Sequence, residues 1–308
     1  AAHEGEMTQV EIGSDVTRIG DVAFYNCTNL TSVTIPDSVT SIGEYAFNSC
    51  GSLTSITIPD GVTSIEAYTF GGCNNLTSVT IPDSVTSIGE YAFNSCASLT
   101  SITIPDGVTS IETYTFNGCI SLTSVNIPEG VTSIGDSAFG YCTSLTNIII
   151  PEGVTSIENF AFEGCRSLTS VTLPGTLTSI GNSAFIVCDK LTDIYFGGTR
   201  AQWENNVTKG ASAIPNGVTV HCTDEFLWSY NDVAKILTIS GPGPMDDTNP
   251  WSASASGAEK VIIKDGVTSI SKDAFVNYNK LTSVTIPKSV TSIGEAAFGN
   301  TGLTDFTI

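Results

Sequence analysis

Nine cysteines give this 308-residue chain its widest choice of side-chain chemistry. If successive repeats stacked about 4.8 Å apart, neighbouring Cα atoms in one column would lie within the roughly 4.4–6.8 Å that disulfides span. Side chains in one column point the same way, however, and no C-x-x-C pair supplies a zinc site. Reduced, buried packing cysteines are therefore favoured over disulfides and metal ligands. Eight of the nine recur every 23 residues, each three positions after a Phe: Cys27, Cys50, Cys73, Cys96, Cys119, Cys142, Cys165 and Cys188.

A second column carries carboxylates. Ca²⁺ takes carboxylate oxygens and could relieve the repulsion between neighbours in such a row. The repeat lacks the dense D-x-D pattern of a calcium loop, so an exposed row screened by water and salt is favoured, and no cofactor is expected. One acidic residue follows the proline in each of six successive repeats: Asp37, Asp60, Asp83, Asp106, Glu129 and Glu152.

Cys222 stands outside the column and directly follows His221. A thiol beside an imidazole could form a nucleophile and its base, but no third group that would orient the base is identifiable. The chain has two histidines, and it contains no G-x-S-x-G, no H-E-x-x-H and no phosphate-cradling glycine loop. We therefore expect that the protein is not an enzyme.

The spacing of the cysteines belongs to a repeat that organises most of the chain. Leu30 and Phe24 recur at the same step of 23 residues through eight units, and residues 30–50 return unchanged at 76–96. Eight units without an insertion or deletion predict a solenoid. One unit cannot bury its own apolar face, so stability requires several stacked units.

Within one unit the pattern predicts three short segments. Val33 and Ile35 alternate with hydroxyl residues, which is typical of a half-buried strand, and Pro36 ends it because proline cannot donate to a ladder. Residues 39–42 predict a second short strand or extended turn, and residues 44–50 predict one α or 3₁₀ turn with the Phe inward. The expected fold is an α/β solenoid of the leucine-rich-repeat type, a right-handed superhelix with short parallel strands and short helical turns.

The segment Ile35–Cys50 reads I-P-x-x-V-T-x-I-G-x-x-A-F-x-x-C. This motif resembles the BspA-like leucine-rich repeats of bacterial surface proteins, a repeat type also found in some protozoan parasites. The resemblance covers about residues 8–196 and returns over 261–308. Ten Ala-Phe or Thr-Phe pairs across the two ranges carry it. It implies secretion or cell-surface display, and adhesion or binding of a host protein.

The repeat is interrupted between residues 197 and 257. The interruption contains all three tryptophans, Trp203, Trp228 and Trp251, in stretches that resemble family segments closing one repeat block and opening the next. The expected organisation is a repeat block over 1–196, an irregular insertion over 197–257 packed on the solenoid, and a second repeat block over 258–308 that continues the solenoid. The tryptophans are candidate partner-binding residues because aromatic side chains are enriched in binding hot spots, although packing is the commoner role.

Identical units indicate scaffold, so specificity is expected where the copies differ. The outward strand positions carry Ser and Thr in the first units but become Asn147, Ile149, Asp193 and Tyr195 in units six to eight. These four residues are further candidates for binding a partner. For a column of tyrosines, half-buried stacking and a binding role are both open; its members are Tyr45, Tyr68, Tyr91 and Tyr114.

Charge and hydropathy narrow the choice of partner. The chain has 11 Lys and Arg against 31 Asp and Glu, a formal net charge of −20, so nucleic acid and anionic membranes are not expected to bind. The chain contains no run of about 18 apolar residues that would predict a membrane span, and the first residues lack the pattern of a signal peptide.

We expect an extracellular or cell-surface bacterial module that binds an extracellular protein or glycan. The alternative is a structural spacer without a ligand, or a non-catalytic part of a larger surface protein.

Overall fold

The computed structural model describes residues 7–223, 227–241, 243–245 and 249–307. The chain forms two compact units, one made of Ala1–Gly197 and Ala201–His221, the other of Gly198–Arg200 and Cys222–Ile308. Each unit is built of coils whose short strands pair in parallel, with equivalent residues side by side. The leucine-rich-repeat solenoid that the 23-residue period predicts is confirmed.

The longer strands of the first unit follow from the alternation of Val or Ile with hydroxyl residues. In Ser55–Thr57 the central Ile56 is buried while both neighbours are exposed. Parallel pairing brings Ile56 beside Val79 of the next coil, so the alternation becomes an apolar column below the sheet and a hydroxyl row above it. The strands are β1 (Gln9–Glu11), β3 (Ser32–Thr34), β5 (Ser55–Thr57), β7 (Ser78–Thr80), β9 (Ser101–Thr103), β10 (Ser124–Asn126), β12 (Asn147–Ile149), β14 (Ser170–Leu173), β16 (Asp193–Phe196) and β18 (Thr219–His221).

A second row of two-residue strands lies later in each coil. Most of these strands end on a buried Ile, as Ser41–Ile42 does. Ile111 makes the same parallel contact with Ile134 as an isolated bridge. The strands are β2 (Arg18–Ile19), β4 (Ser41–Ile42), β6 (Ser64–Ile65), β8 (Ser87–Ile88), β11 (Ser133–Ile134), β13 (Ser156–Ile157), β15 (Ser179–Ile180) and β17 (Thr208–Lys209).

The segments that contain the Phe are chains of turns, and the helical turn predicted there is wrong. The N–H groups of Ala46, Asn48 and Cys50 donate to the carbonyl three residues earlier, at 3.3, 3.1 and 3.1 Å. The N–H groups of Phe47 and Ser49, which lie between them, donate to carbonyls of the next coil at 2.9 and 2.7 Å. A helix would use these donors within its own coil. Hydrogen bonding between coils therefore replaces the helix.

Columns of like side chains form the core of the first unit. The rings of Phe24, Phe47 and their equivalents up to Phe185 stack with centroids 5.1 to 5.7 Å apart. Leu, Val and Ile columns lie buried beside them. Burial of one such side chain stabilises the fold by roughly 1.5–3 kcal/mol. Each coil gains this stabilisation only from its neighbours, as in other repeat proteins.

Exposed threonines also join successive coils. The Oγ1 of Thr77 donates to the backbone oxygen of Thr54 at 2.9 Å, and Thr54 donates in the same way to Thr31 at 3.4 Å. A second column repeats the contact, with Thr155 bonding to the oxygen of Thr132 at 3.3 Å. A carbonyl oxygen has two lone pairs, and the hydroxyl uses one of them. Thr therefore recurs at these surface positions because its hydroxyl joins neighbouring coils.

The second unit begins with an antiparallel hairpin and continues with parallel coils. The strands β19 (Leu227–Asn231) and β20 (Ile236–Ser240) pair antiparallel. Strand β20 then pairs in parallel with β22 (Lys260–Ile263), and the order continues through β24 (Ser283–Thr285) to β26 (Asp305–Thr307). A smaller sheet has the order β21 (Gly243–Pro244), β23 (Val267–Ile270), β25 (Ser292–Ile293).

The segment from 197 to 257 supplies ordered strands to both units. Residues 201–221 belong to the first unit, where β17 pairs with β15 and β18 pairs with β16. This last coil is longer than the others because it contains the helix α1 (Arg200–Asn205). Residues 222–257 belong to the second unit. The repeat pattern is hidden in residues 201–221 because the coil length changes there, while β17 and β18 still pair with strands of the preceding coil.

Gly89 marks a place where two coils approach closely. A Cβ on Gly89 would lie 2.7 Å from the backbone nitrogen of Ala67, closer than real Cβ contacts. The N–H of Gly89 donates to the oxygen of Ile65 at 2.8 Å, which holds the coils at this distance. Gly135 and Gly181 meet the preceding coil in the same way.

Replacing Gly89 with Ala is therefore expected to force the two coils apart. The free energy of unfolding should fall by about 1–3 kcal/mol, the usual cost of overpacking, as measured by denaturant unfolding. Gly51→Ala is the matched control, because a Cβ there meets nothing within 4 Å, and it should change stability by about 0.5 kcal/mol or less. Equal losses in both variants would contradict the close-approach explanation.

Candidate functional site

The cysteine column lies in the core. All nine cysteines are buried thiols. The Sγ of Cys96 donates to the backbone oxygen of Phe70 at 3.3 Å, an oxygen that also accepts the N–H of Cys73 at 3.1 Å. Burial raises the pKa of the Cys119 thiol to about 12. These residues act as small packing groups and weak donors. The thiol contact recurs in Cys50, Cys73, Cys119, Cys142, Cys165 and Cys188 at 3.2 to 3.3 Å.

His221 and Cys222 face different environments. His221 is half-buried on the outward side of β18, whereas Cys222, the next residue, is buried. Successive side chains of an extended chain point to opposite sides, so the thiol and the imidazole do not form a nucleophile and base. The six carboxylates that follow the prolines are exposed. No group of three or more His, Cys, Asp or Glu that could hold a metal ion occurs in the part of the chain that the structure describes.

All three tryptophans pack against apolar neighbours. Trp251 is completely buried in the second unit, where its Nε1 donates to the oxygen of Ala274 at 3.1 Å. Trp203 is 6% exposed and lies against Phe196 with ring centroids 5.2 Å apart. Trp228 is half-buried and packs against the core of the second unit. Burial removes Trp203 and Trp251 from the surface that a partner could contact.

The tyrosines of the column stack ring on ring. The rings of Tyr45, Tyr68, Tyr91 and Tyr114 stack with centroids 4.4 to 4.6 Å apart. Their backbones have φ of 55° to 58°, a left-handed conformation that costs a non-glycine residue roughly 1–2 kcal/mol and that ring stacking helps to offset. Burial and then the neighbouring phenol raise the pKa of Tyr68 and Tyr91. Because each ring covers the face of the next, the column presents ring edges rather than open faces.

The four-stranded sheet of β12, β14, β16 and β18 brings together the other four predicted residues. Asn147 and Asp193 lie in one row of its outward face, each beside Ser170. Ile149 and Tyr195 lie in the next row, each beside Thr172. We refer to this outward surface as the candidate face.

Two large side chains distinguish the candidate face from the rest of the outward rows. Ile149 is 67% exposed and Tyr195 is 45% exposed. The equivalent positions in earlier coils carry Thr34, Thr57, Thr80 and Thr103, followed by Asn126. An exposed Ile and an exposed Tyr, on either side of Thr172, are therefore the clearest departure from the repeat.

His221 joins the candidate face, which reasoning from the sequence missed. Its ring stacks on Tyr195 with centroids 4.8 Å apart and planes 17° apart. Its Nε2 lies 2.8 Å from Oδ1 of Asp193. Strand pairing places His221 beside Tyr195 although 26 positions, rather than 23, separate them. The dipeptide His221-Cys222 could have indicated this position. If Cys222 is taken as the inward residue of an extended strand, His221 must point outward.

Hydrogen bonds set the charge of Asp193. The hydrogen bond with His221 has the largest effect on the pKa of Asp193. The hydroxyl of Thr192, which donates to Oδ2 at 2.7 Å, has the next largest. Together they hold the pKa of Asp193 below its ordinary value. The candidate face therefore combines an ionised carboxylate, a stacked aromatic pair and an exposed aliphatic side chain. These groups suit binding.

Comparison with known proteins identifies the repeat. The family model described as BspA type leucine rich repeat region matches the chain in 6 copies, over residues 2–122, 86–214 and 238–308. The chain belongs to this family. Among the described residues of this BspA-type protein, no helix could cross a bilayer.

Solved leucine-rich repeat structures resemble the chain. One from Bacteroides ovatus is 28% identical, with a TM-score of 0.58, and the match covers 95% of this chain and 72% of that one. A leucine rich cell surface protein from Faecalibacterium prausnitzii is 29% identical over 65% of this chain and 82% of its own, with a TM-score of 0.34. None of the curated proteins compared matches the chain. The Bacteroides ovatus structure supports the solenoid assignment.

Thiol reactivity tests the placement of the cysteines. Burial raises the pKa of Cys50 and Cys188 to about 12, so almost no reactive thiolate exists at pH 8. In the folded protein an aromatic disulfide reagent should therefore label the column cysteines very slowly. After unfolding without reductant, all nine thiols should react at once. Fewer than nine after unfolding would reveal disulfides and contradict the placement.

The bond between His221 and Asp193 predicts a pH effect. His221→Ala should raise the pKa of Asp193 toward its ordinary value, as measured by the pH dependence of its carboxyl ¹³C signal. Because the folded pKa is lowered, this carboxylate stabilises the fold fully above the unfolded value of about 3.9. The contribution is lost as pH falls through the folded pKa, and His221→Ala should remove this part of the acid sensitivity.

Thr219→Ala is the control for that experiment. It lies on the same strand, and it leaves the imidazole and the carboxylate in place. The titration of Asp193 should be unchanged in this variant. An unchanged titration in His221→Ala as well would show that the imidazole does not stabilise the carboxylate.

Proposed function

We propose that this protein is a non-catalytic binding module, displayed outside the cell, whose candidate face engages an extracellular protein or glycan. The observation that carries the proposal is the pair of exposed side chains, Ile149 and Tyr195, on a sheet whose other outward positions are mostly small and polar. Tyrosine and other large side chains supply much of the energy at binding hot spots.

The architecture supports a binding role. Solenoid repeats create extended surfaces, and repeat proteins commonly use them for recognition. A parallel sheet fixed by bonds between coils holds the outward side chains in one arrangement before a partner arrives, which lowers the entropic cost of binding. Membership of the BspA-type family supports display outside the cell.

The uniform coils favour a second candidate function. Residues 30–50 and 76–96 are identical, which indicates selection for regular stacking rather than for a particular surface. These coils would then act as a spacer that sets the distance between attached parts. The two functions are compatible because they use different coils.

A binding screen with reversal variants tests the proposal. Ile149→Thr and Tyr195→Thr together restore the residue that equivalent positions carry in the uniform coils, so the fold should tolerate them. The wild-type chain should bind saturably to at least one component of an array of extracellular proteins and glycans. The double variant should bind that component at least about tenfold more weakly, the loss expected for a modest hot spot.

Thr57→Ala with Thr103→Ala provides the control. Both residues are exposed at the equivalent position of other coils, and their loss should leave affinity unchanged. Failure to bind any component, in a protein shown to be folded, would favour the spacer. Equal weakening by both double variants would show that the candidate face is not the binding surface.

A further inference from the structure

Thr172 lies between two larger exposed side chains in one row of the candidate face. Strand register places it beside Ile149 on one side and beside Tyr195 on the other. Ile149 and Tyr195 are therefore two strand spacings apart, about 9–10 Å between Cα atoms. Because Thr172 is short and exposed, the space above it is open between the two larger side chains. This space is termed the notch.

One wall of the notch is the face of an aromatic ring. His221 covers the opposite face of Tyr195, so the ring's other face is directed toward β14 and Thr172. Ile149, the facing wall, is the more exposed of the two at 67%. A flat group about 3.5 Å thick can make van der Waals contact with both walls at this separation.

The adjoining row of the notch is polar. Asn147 and Asp193 lie on either side of Ser170, in the same relation as the two larger side chains. Oδ1 of Asp193 contacts His221 and Oδ2 accepts the hydroxyl of Thr192. Each carboxylate oxygen has two lone pairs, so both retain capacity for a donor from a ligand.

The charge of the chain favours a cationic ligand. The formal net charge of the chain is −20. A negative field of this kind attracts a basic partner and accelerates its association. The carboxylate of Asp193 then places a negative charge at the end of the notch.

We infer that the notch binds an arginine side chain from a basic segment of the partner protein. The guanidinium plane stacks on the open face of Tyr195, and its N–H groups donate to Asp193 and to the amide oxygen of Asn147. The aliphatic stem of the arginine lies along Ile149. This inference rests on the proposed function, because it names the chemistry by which a protein partner uses the candidate face.

Arginine fits the notch better than the two nearest alternatives. Its guanidinium is flat, stacks on aromatic rings and presents several donors in a fixed fork. A lysine ammonium is compact and strongly hydrated, so it does not fill a slot between a ring and an aliphatic wall. A neutral sugar ring could stack on Tyr195 but would make no use of the carboxylate charge.

Three short peptides test the inference on the full chain. The probes are acetyl-Gly-Arg-Gly-amide and the same peptide with citrulline or lysine in place of arginine. Two histidines in the chain make the ring signals of His221 easy to assign by NMR. The arginine peptide should shift these signals saturably and bind at least about tenfold more tightly than the citrulline peptide, because citrulline lacks the charge-assisted contact.

Two variants locate the effect. Thr172→Tyr fills the notch and should abolish the shift, whereas Thr103→Tyr makes the same change at the equivalent position of a uniform coil and should leave binding intact. Asp193→Asn should weaken the arginine peptide about tenfold and leave the citrulline peptide nearly unchanged. Melting curves should show that all three variants remain folded.

Several contrary results would overturn the inference. Equal binding of the arginine and citrulline peptides, tighter binding of the lysine peptide, or full binding in Thr172→Tyr would overturn the arginine assignment. Absence of any peptide shift would also overturn it, while the array screen would still decide whether the candidate face binds a partner. A glycan found in that screen whose affinity falls in Thr172→Tyr would assign the notch to a sugar and overturn the inference.

Discussion

Hydrogen bonding from coil to coil is the constraint on which the structure depends. In the turn segments the backbone N–H groups alternate between a bond within the coil and a bond to the next coil, as Ala46 and Phe47 show. Paired strands continue the same exchange. Neighbouring coils can exchange these bonds at every position when they have the same length and the same path. The constant period of 23 residues meets this condition.

The same constraint separates scaffold from surface. Inward side chains must stack on their own equivalents, so Phe recurs in one column and Cys in another. Even exposed threonines are held to the pattern where their hydroxyls bond to the coil before them. Outward strand positions do not have to match the equivalent residue of the next coil, because nothing in that coil depends on their size. Ile149 and Tyr195 occupy two such positions, where a change costs the fold little.

Most of the fold could be predicted from the sequence, and so could four residues of the candidate face. The period, the stacked apolar columns and the buried cysteines follow from residue spacing alone. The sequence shows four outward positions at which the repeat changes, and strand register brings them onto one face. They are Asn147, Ile149, Asp193 and Tyr195. The helical turns were predicted wrongly, because local spacing contains no information about donors that bond to another coil. The tryptophans could not be placed, because their burial depends on partners distant in the sequence.

The sequence by itself determined that this chain is a solenoid, which positions are inward, and where its surface stops repeating. The physical reason is that a repeat of fixed length allows one register, so equivalent residues must meet. The tertiary structure alone decided that His221 meets Asp193 and Tyr195. The helix α1 lengthens the last coil of the first unit, so counting residues no longer gives the neighbour. Strand pairing restores the register across that change of length, and this pairing creates the candidate face.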